Sequence, residues 1–72
     1  VNATPGECLV FEDSWNGMTA AARAGCRVVG LAHEVPDGVV SMVDLQGEIS
    51  FEGVTAQTVG QWWTTLIDRE EL

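Results

Sequence analysis

Seventy-two residues make at most one small domain, because a chain of this size buries only about 60% of the surface that its unfolded form exposes. Three basic and eleven acidic side chains leave a net charge of −8, which repels phosphate backbones and anionic lipids and argues against nucleic acid or a membrane face as the partner. A hydrophobic content of 46% is that of a folding chain, and no apolar run approaches the roughly 18 to 20 residues that span a bilayer.

In chain order, "VNATPGE" (1–7) carries a Pro-Gly turn signal and no periodicity, so it reads as a loop. Leu9, Val10 and Phe11 form a short continuous apolar run, the pattern of a strand covered on both faces in a parallel sheet. Glu12 and Asp13 end it. Ser14 can cap the Ala-rich segment that follows, in which Trp15, Met18 and Ala22 recur at helical spacing and Gly25 stands as a left-handed terminator. "CRVVGL", Cys26 to Leu31, is β-branched and reads as a second strand. Strand, helix and strand with short joints predict a βαβ unit with parallel strands.

Beyond Leu31, "AHEVPDG" is turn-rich, "VVSMVDL" (39–45) reads as a further short strand, and "QGEISFEGV" mixes its signals. From Thr55 onward Val59, Trp62, Trp63, Leu66 and Ile67 fall at i, i+3, i+4, i+7 and i+8, which predicts an amphipathic closing helix with "DREEL" as its polar fray. The two tryptophans share the apolar stripe and are expected to pack rather than to recognise a ligand. Cys8 and Cys26 have no second cysteine pair and no histidine at a ligand spacing, so zinc is not expected. They read as two buried thiols of a cytoplasmic protein.

The acid pair is the feature with chemistry. In open parallel sheets ligands bind beyond the carboxyl ends of the strands, and adjacent acids can turn toward one point only where the strand ends. A divalent cation would relieve their repulsion, and hard oxygen donors select Mg²⁺. A solvated pair of acids is the plainer alternative.

The whole stretch "CLVFEDSWNGMTAAARAGCRVVGL" resembles the haloacid dehalogenase-like hydrolases, in particular the branch of phosphatases and phosphosugar mutases similar to β-phosphoglucomutase. The likeness runs from Glu7 to Leu31, about a third of the chain. It joins an apolar strand, Glu-Asp-Ser, a glycine after two variable residues, an Ala-rich helix ending Ala-Gly, and a Val-Val-Gly strand. The resemblance implies a partial Rossmann-like, three-layer α/β fold in which residues 1–72 form the C-terminal part of a single core domain with no cap domain. It also implies that Asp13 is a Mg²⁺ ligand, with Glu12 an accessory ligand or an acid just behind it. Ser14 would orient the turn, and Gly17 would allow close helix packing. Trp15 and Asn16 occupy variable positions. His33 follows the second strand on the same side and is expected to be incidental.

The resemblance further implies an aspartyl-phosphate mechanism on a small phosphorylated metabolite, needing an Asp-x-Asp nucleophile motif, a Ser or Thr and a Lys. The chain has no Asp-x-Asp and no lysine; its basic residues are Arg23, Arg27 and Arg69. The expectation is an acidic corner of a site without nucleophile or phosphate clamp, inactive alone. It lacks the neighbouring strand that an N-terminal portion would supply, which leaves the first strand with an open apolar edge. Two other readings stand beside it: a non-catalytic acidic α/β module that docks on a protein partner, and a receiver-like phosphoacceptor, which lacks a suitable later aspartate and a lysine.

Overall fold

A computed structural model describes residues 4–70. Its core is a three-stranded parallel sheet in the order β1-β2-β3, formed by β1 (Leu9–Glu12), β2 (Arg27–Gly30) and β3 (Val39–Ser41). Helix α1 (Trp15–Arg23) connects β1 to β2, so the predicted βαβ unit is present with its strands parallel. Helices α2 (Met42–Gln46) and α3 (Ala56–Glu70) follow β3.

Register sorts the side chains into two layers of core. Val10, Val28 and Val39 lie in one row across the strands, and Phe11, Val29 and Val40 in the next. Successive residues of a strand point to opposite faces. The first row packs with Met18 of α1, and the second with Met42 of α2 and with Trp62 and Leu66 of α3. Met18, Val28, Val29 and Met42 are wholly buried. The sheet is thereby covered by α1 on one face and by α2 and α3 on the other.

Local chemistry explains the boundaries. The Ser14 hydroxyl accepts the Gly17 N–H at 3.0 Å and starts α1, supplying one of the partners that the first helical amides lack. Gly25, at φ 90°, reverses the chain at its end, where an L side chain would be strained. The closing helix also forms as predicted, with Trp62 and Leu66 buried and Val59, Trp63 and Ile67 half-buried. It continues as helix through Glu70, so the expected fray at 68–70 is helical; the last two residues of "DREEL" lie outside the described residues.

Two expectations change. The strand proposed for 39–45 stops at Ser41, and residues 42–46 are helical. Ser41 switches the chain: its hydroxyl accepts the Val43 N–H at 3.2 Å as the cap of α2 and donates to the Ala32 carbonyl, while Gly47, at φ 88°, ends the helix. The N-terminal loop contains a 3₁₀ turn, Pro5–Glu7, in which proline stands where no amide donor is needed. β1 is half-buried along its whole length and is covered on both faces as expected, with Leu9 and Phe11 packed on the side of α2 and α3 and Val10 on the side of α1. Among the described residues no strand pairs with the outer side of β1, which stands at one edge of the sheet. Among the described residues no helix is long and apolar enough to cross a membrane.

Candidate functional site

The parallel strands all end at one rim of the sheet, and Glu12 and Asp13 lie there at the end of β1, where α1 begins. Glu12 is the last residue of the strand and faces α1, in the same row as Gly30 and Ser41. The ladder holds it in place, because its carbonyl accepts the Leu31 N–H at 2.8 Å.

The Glu12 carboxylate folds back over the turn. Its Oε1 accepts the backbone N–H of Asp13 at 3.0 Å, the N–H of Ser14 at 3.2 Å and the Ser14 hydroxyl at 3.3 Å. Hydrogen bonds to the charged form favour ionisation. The Ser14 amide first, then the Asp13 amide, the Asp13 carboxyl and the Ser14 hydroxyl, lower the Glu12 pKa against the opposing pull of desolvation. Asp13, the next residue in the chain, is exposed where β1 gives way to α1. The doubled charge at the strand end is therefore held by a turn whose donors stabilise one of the two carboxylates.

Gly17 belongs to the same arrangement, for a reason different from the helix packing expected of it. A Cβ there would stand 2.3 Å from Glu12 Cδ and 2.6 Å from its Cγ and Oε2. The missing side chain is the space that the Glu12 carboxylate occupies. Gly17→Ala is accordingly expected to lower stability by about 1 kcal/mol, as overpacking outweighs the gain in helix propensity. In a Glu12→Ala background the same substitution should raise stability by roughly 0.5 kcal/mol. Urea denaturation of the four proteins of this cycle measures the reversal of sign, and additive effects would show that Glu12 and Gly17 do not share this space.

As a cation corner, the donor set fits Mg²⁺ in kind. Two neighbouring carboxylates are hard oxygen donors, and Mg²⁺ is commonly held by one or two carboxylates together with water and substrate phosphate. Asp13 is the exposed member; Glu12 keeps Oε2 outside the hydrogen bonds that engage Oε1. Among the described residues no group of three His, Cys, Asp or Glu side chains gathers into a metal-binding cluster.

The other residues singled out from the sequence divide plainly. Ser14 serves both the helix cap and Glu12. Trp15, Asn16 and His33 are exposed. Trp62 is core and sits 6.1 Å from the Phe11 ring, whereas Trp63 is half-buried beneath the Arg27 guanidinium, 5.1 Å from ring centre to Cζ. One feature was not legible from the sequence: an open groove of about 500 Å³ between α1 and the β2–β3 loop, lined by Trp15, Thr19, Arg23, Val35, Pro36 and Asp37 among others. Neither Glu12 nor Asp13 lines it. Only the spacing of Trp15, Thr19 and Arg23 along α1 hinted at a shared stripe.

No family model matches the chain, and neither a curated protein nor a solved structure matches it.

Proposed function

We propose that the chain is the C-terminal portion of a Mg²⁺-dependent hydrolase of the haloacid dehalogenase-like type, a phosphatase or phosphosugar mutase acting on a small phosphorylated metabolite, and that it contributes the acidic corner of the site. The observation that carries this reading is the acid pair at the C-terminal end of the edge strand of a parallel βαβ unit, beside an open strand edge. Asp13 would hold the cation, with Glu12 beside it. When bound, Mg²⁺ neutralises charge that develops on a transferring phosphoryl group. The chain's own part is positional: the Ser14 and Asp13 amides fix Glu12, Ser14 sets the start of α1, and the end of β1 points Asp13 away from the core. A Rossmann-like three-layer core fits the arrangement of α1 on one face and α2 and α3 on the other.

Nucleophile and phosphate clamp are not among these 72 residues, and phosphoryl transfer requires positioning and charge neutralisation together. The chain alone is therefore expected to give no phosphatase turnover. A protein extended through the coding sequence upstream of Val1, carrying an Asp-x-Asp strand and a lysine, should hydrolyse p-nitrophenyl phosphate in the presence of Mg²⁺. Asp13→Asn should lower that rate about 100-fold. Turnover by the 72 residues alone, or full activity in the Asp13→Asn protein, would contradict the proposal.

The docking reading is favoured by a different observation. Phe51, 52% exposed, packs edge-on against Phe11 of the open strand at 5.5 Å between ring centres. An upstream sequence without the nucleophile motif and lysine would transfer the weight to this reading.

A further inference from the structure

The two cysteines, 18 positions apart in sequence, are lateral neighbours in the fold. The β1–β2 register pairs Leu9 with Arg27, and one step earlier the Cys8 carbonyl accepts the Arg27 N–H at 3.0 Å. In a parallel ladder that bond is made by the residue opposite the one before the donor, so Cys8 stands opposite Cys26. Cys26 packs against the Met18, Val28 and Val39 cluster on the α1 face, and the extended backbone of Cys8, φ −102° and ψ 134°, continues the alternation of β1 and assigns its side chain to the side of Val10. Both thiols are free and half-buried.

Neighbouring strands lie about 4.7–4.9 Å apart, inside the 4.4–6.8 Å range of Cα separations that disulfides bridge. Side chains on parallel strands need some adjustment to bring their sulfurs together. Here it is available, because neither cysteine lies within a strand: Cys8 follows the Pro5–Glu7 turn and Cys26 follows Gly25. The Cys8 thiol donates to the Thr4 carbonyl at 3.4 Å, a weak bond that a change of rotamer gives up.

We propose that Cys8 and Cys26 form a thiol–disulfide exchange site that takes low-molecular-weight disulfides of the glutathione type. One protein thiolate attacks a sulfur of the small disulfide, forms a mixed disulfide and expels one small thiolate. The second protein thiolate then attacks the protein sulfur of that mixed bond and expels the other. The two cysteines together lose two electrons and two protons, and the small disulfide is reduced to two thiols. The bond closes a loop containing β1 and α1 and ties the edge strand to β2. Because β1 and β2 pair within this chain, the inference does not depend on the proposed hydrolase activity.

The test is incubation of the reduced chain with excess oxidised glutathione, followed by intact mass, non-reducing electrophoresis and peptide mapping after alkylation. The wild-type chain should remain monomeric, lose two hydrogen masses and yield a linked pair of peptides containing Cys8 and Cys26. Its thermal midpoint should rise by about 15 °C, as a closed loop of this length implies. Cys8→Ser and Cys26→Ser should each stop at the mixed disulfide, and this second arm holds even if one variant is less stable. A wild-type chain that accumulates only glutathione adducts, links between chains or stays reduced while the single variants are modified would overturn the proposal. So would thiols that fail to react in all three proteins.

Discussion

Trp62→Ala is expected to unfold most of the chain. Trp62 is 5% exposed and, with Leu66, joins α3 to Val29 and Phe11 of the sheet and to Met42 of α2. Truncating a buried tryptophan costs about 3–5 kcal/mol, from lost transfer free energy and from the cavity left behind. Total stability for 72 residues is on the order of 4–11 kcal/mol at typical values per residue, and an edge strand half-exposed along its length places this chain toward the lower end. The substitution therefore removes much or all of the margin. Trp63→Ala should cost only about 1–2 kcal/mol, since that ring is half-buried and chiefly carries the Arg27 guanidinium. Trp15, 55% exposed, should be replaceable within about 0.5 kcal/mol. Near-ultraviolet circular dichroism and urea denaturation rank the three variants. Equal losses at all three positions would contradict the packing described for α3.

The second large effect concerns two glycines of opposite sign. A Cβ at Gly30, on the last residue of β2, would stand 2.5 Å from Met18 Sδ, 2.6 Å from Val35 Cγ1 and 3.2 Å from Val39 Cγ1. These are side chains of the α1-side core and its covering loop, and Met18 is wholly buried. Gly30→Ala should cost about 1–3 kcal/mol by overpacking, and Gly30→Val more. Methionine is the most adaptable of the three neighbours, so Met18→Ala combined with Gly30→Ala should cost less than the sum of the two single changes. At Gly60, in the interior of α3, a Cβ would meet nothing within 4 Å. Gly60→Ala should stabilise by about 0.5–1 kcal/mol through helix propensity alone. Urea midpoints read both, and a Gly30→Ala protein as stable as the parent would show that β2 does not pack against α1 in this way.

The βαβ unit was legible because each boundary has its own local signal: a continuous apolar run, a serine cap, a glycine at positive φ and a β-branched run, all within 25 residues of one another. Helix α2 was not. Val39 to Leu45 is apolar almost throughout, and a short apolar run does not distinguish strand from helix by period. The decision is made by Ser41, which reads as a strand residue in sequence yet uses its hydroxyl to cap the helix. The place of Glu12 and Asp13 at the rim follows from the end of β1 and was readable. The division between them was not, because the partners of Glu12 are backbone amides and the space it fills is the absent side chain of Gly17. The packing of Phe51 on Phe11 joins residues forty positions apart and left no periodic trace in a segment of mixed signals.

Whether Glu12 and Asp13 form one corner of a Mg²⁺ site is decided by titrating Mg²⁺ into the ¹³C-labelled chain while following every side-chain carboxyl carbon. The Glu12 and Asp13 resonances should move together along one saturating curve, the other acids should show only a shallow common drift, and Asp13→Asn should abolish the response at Glu12. A drift shared equally by all the carboxylates, or signals of Glu12 and Asp13 that stay still while others move, would contradict a shared site.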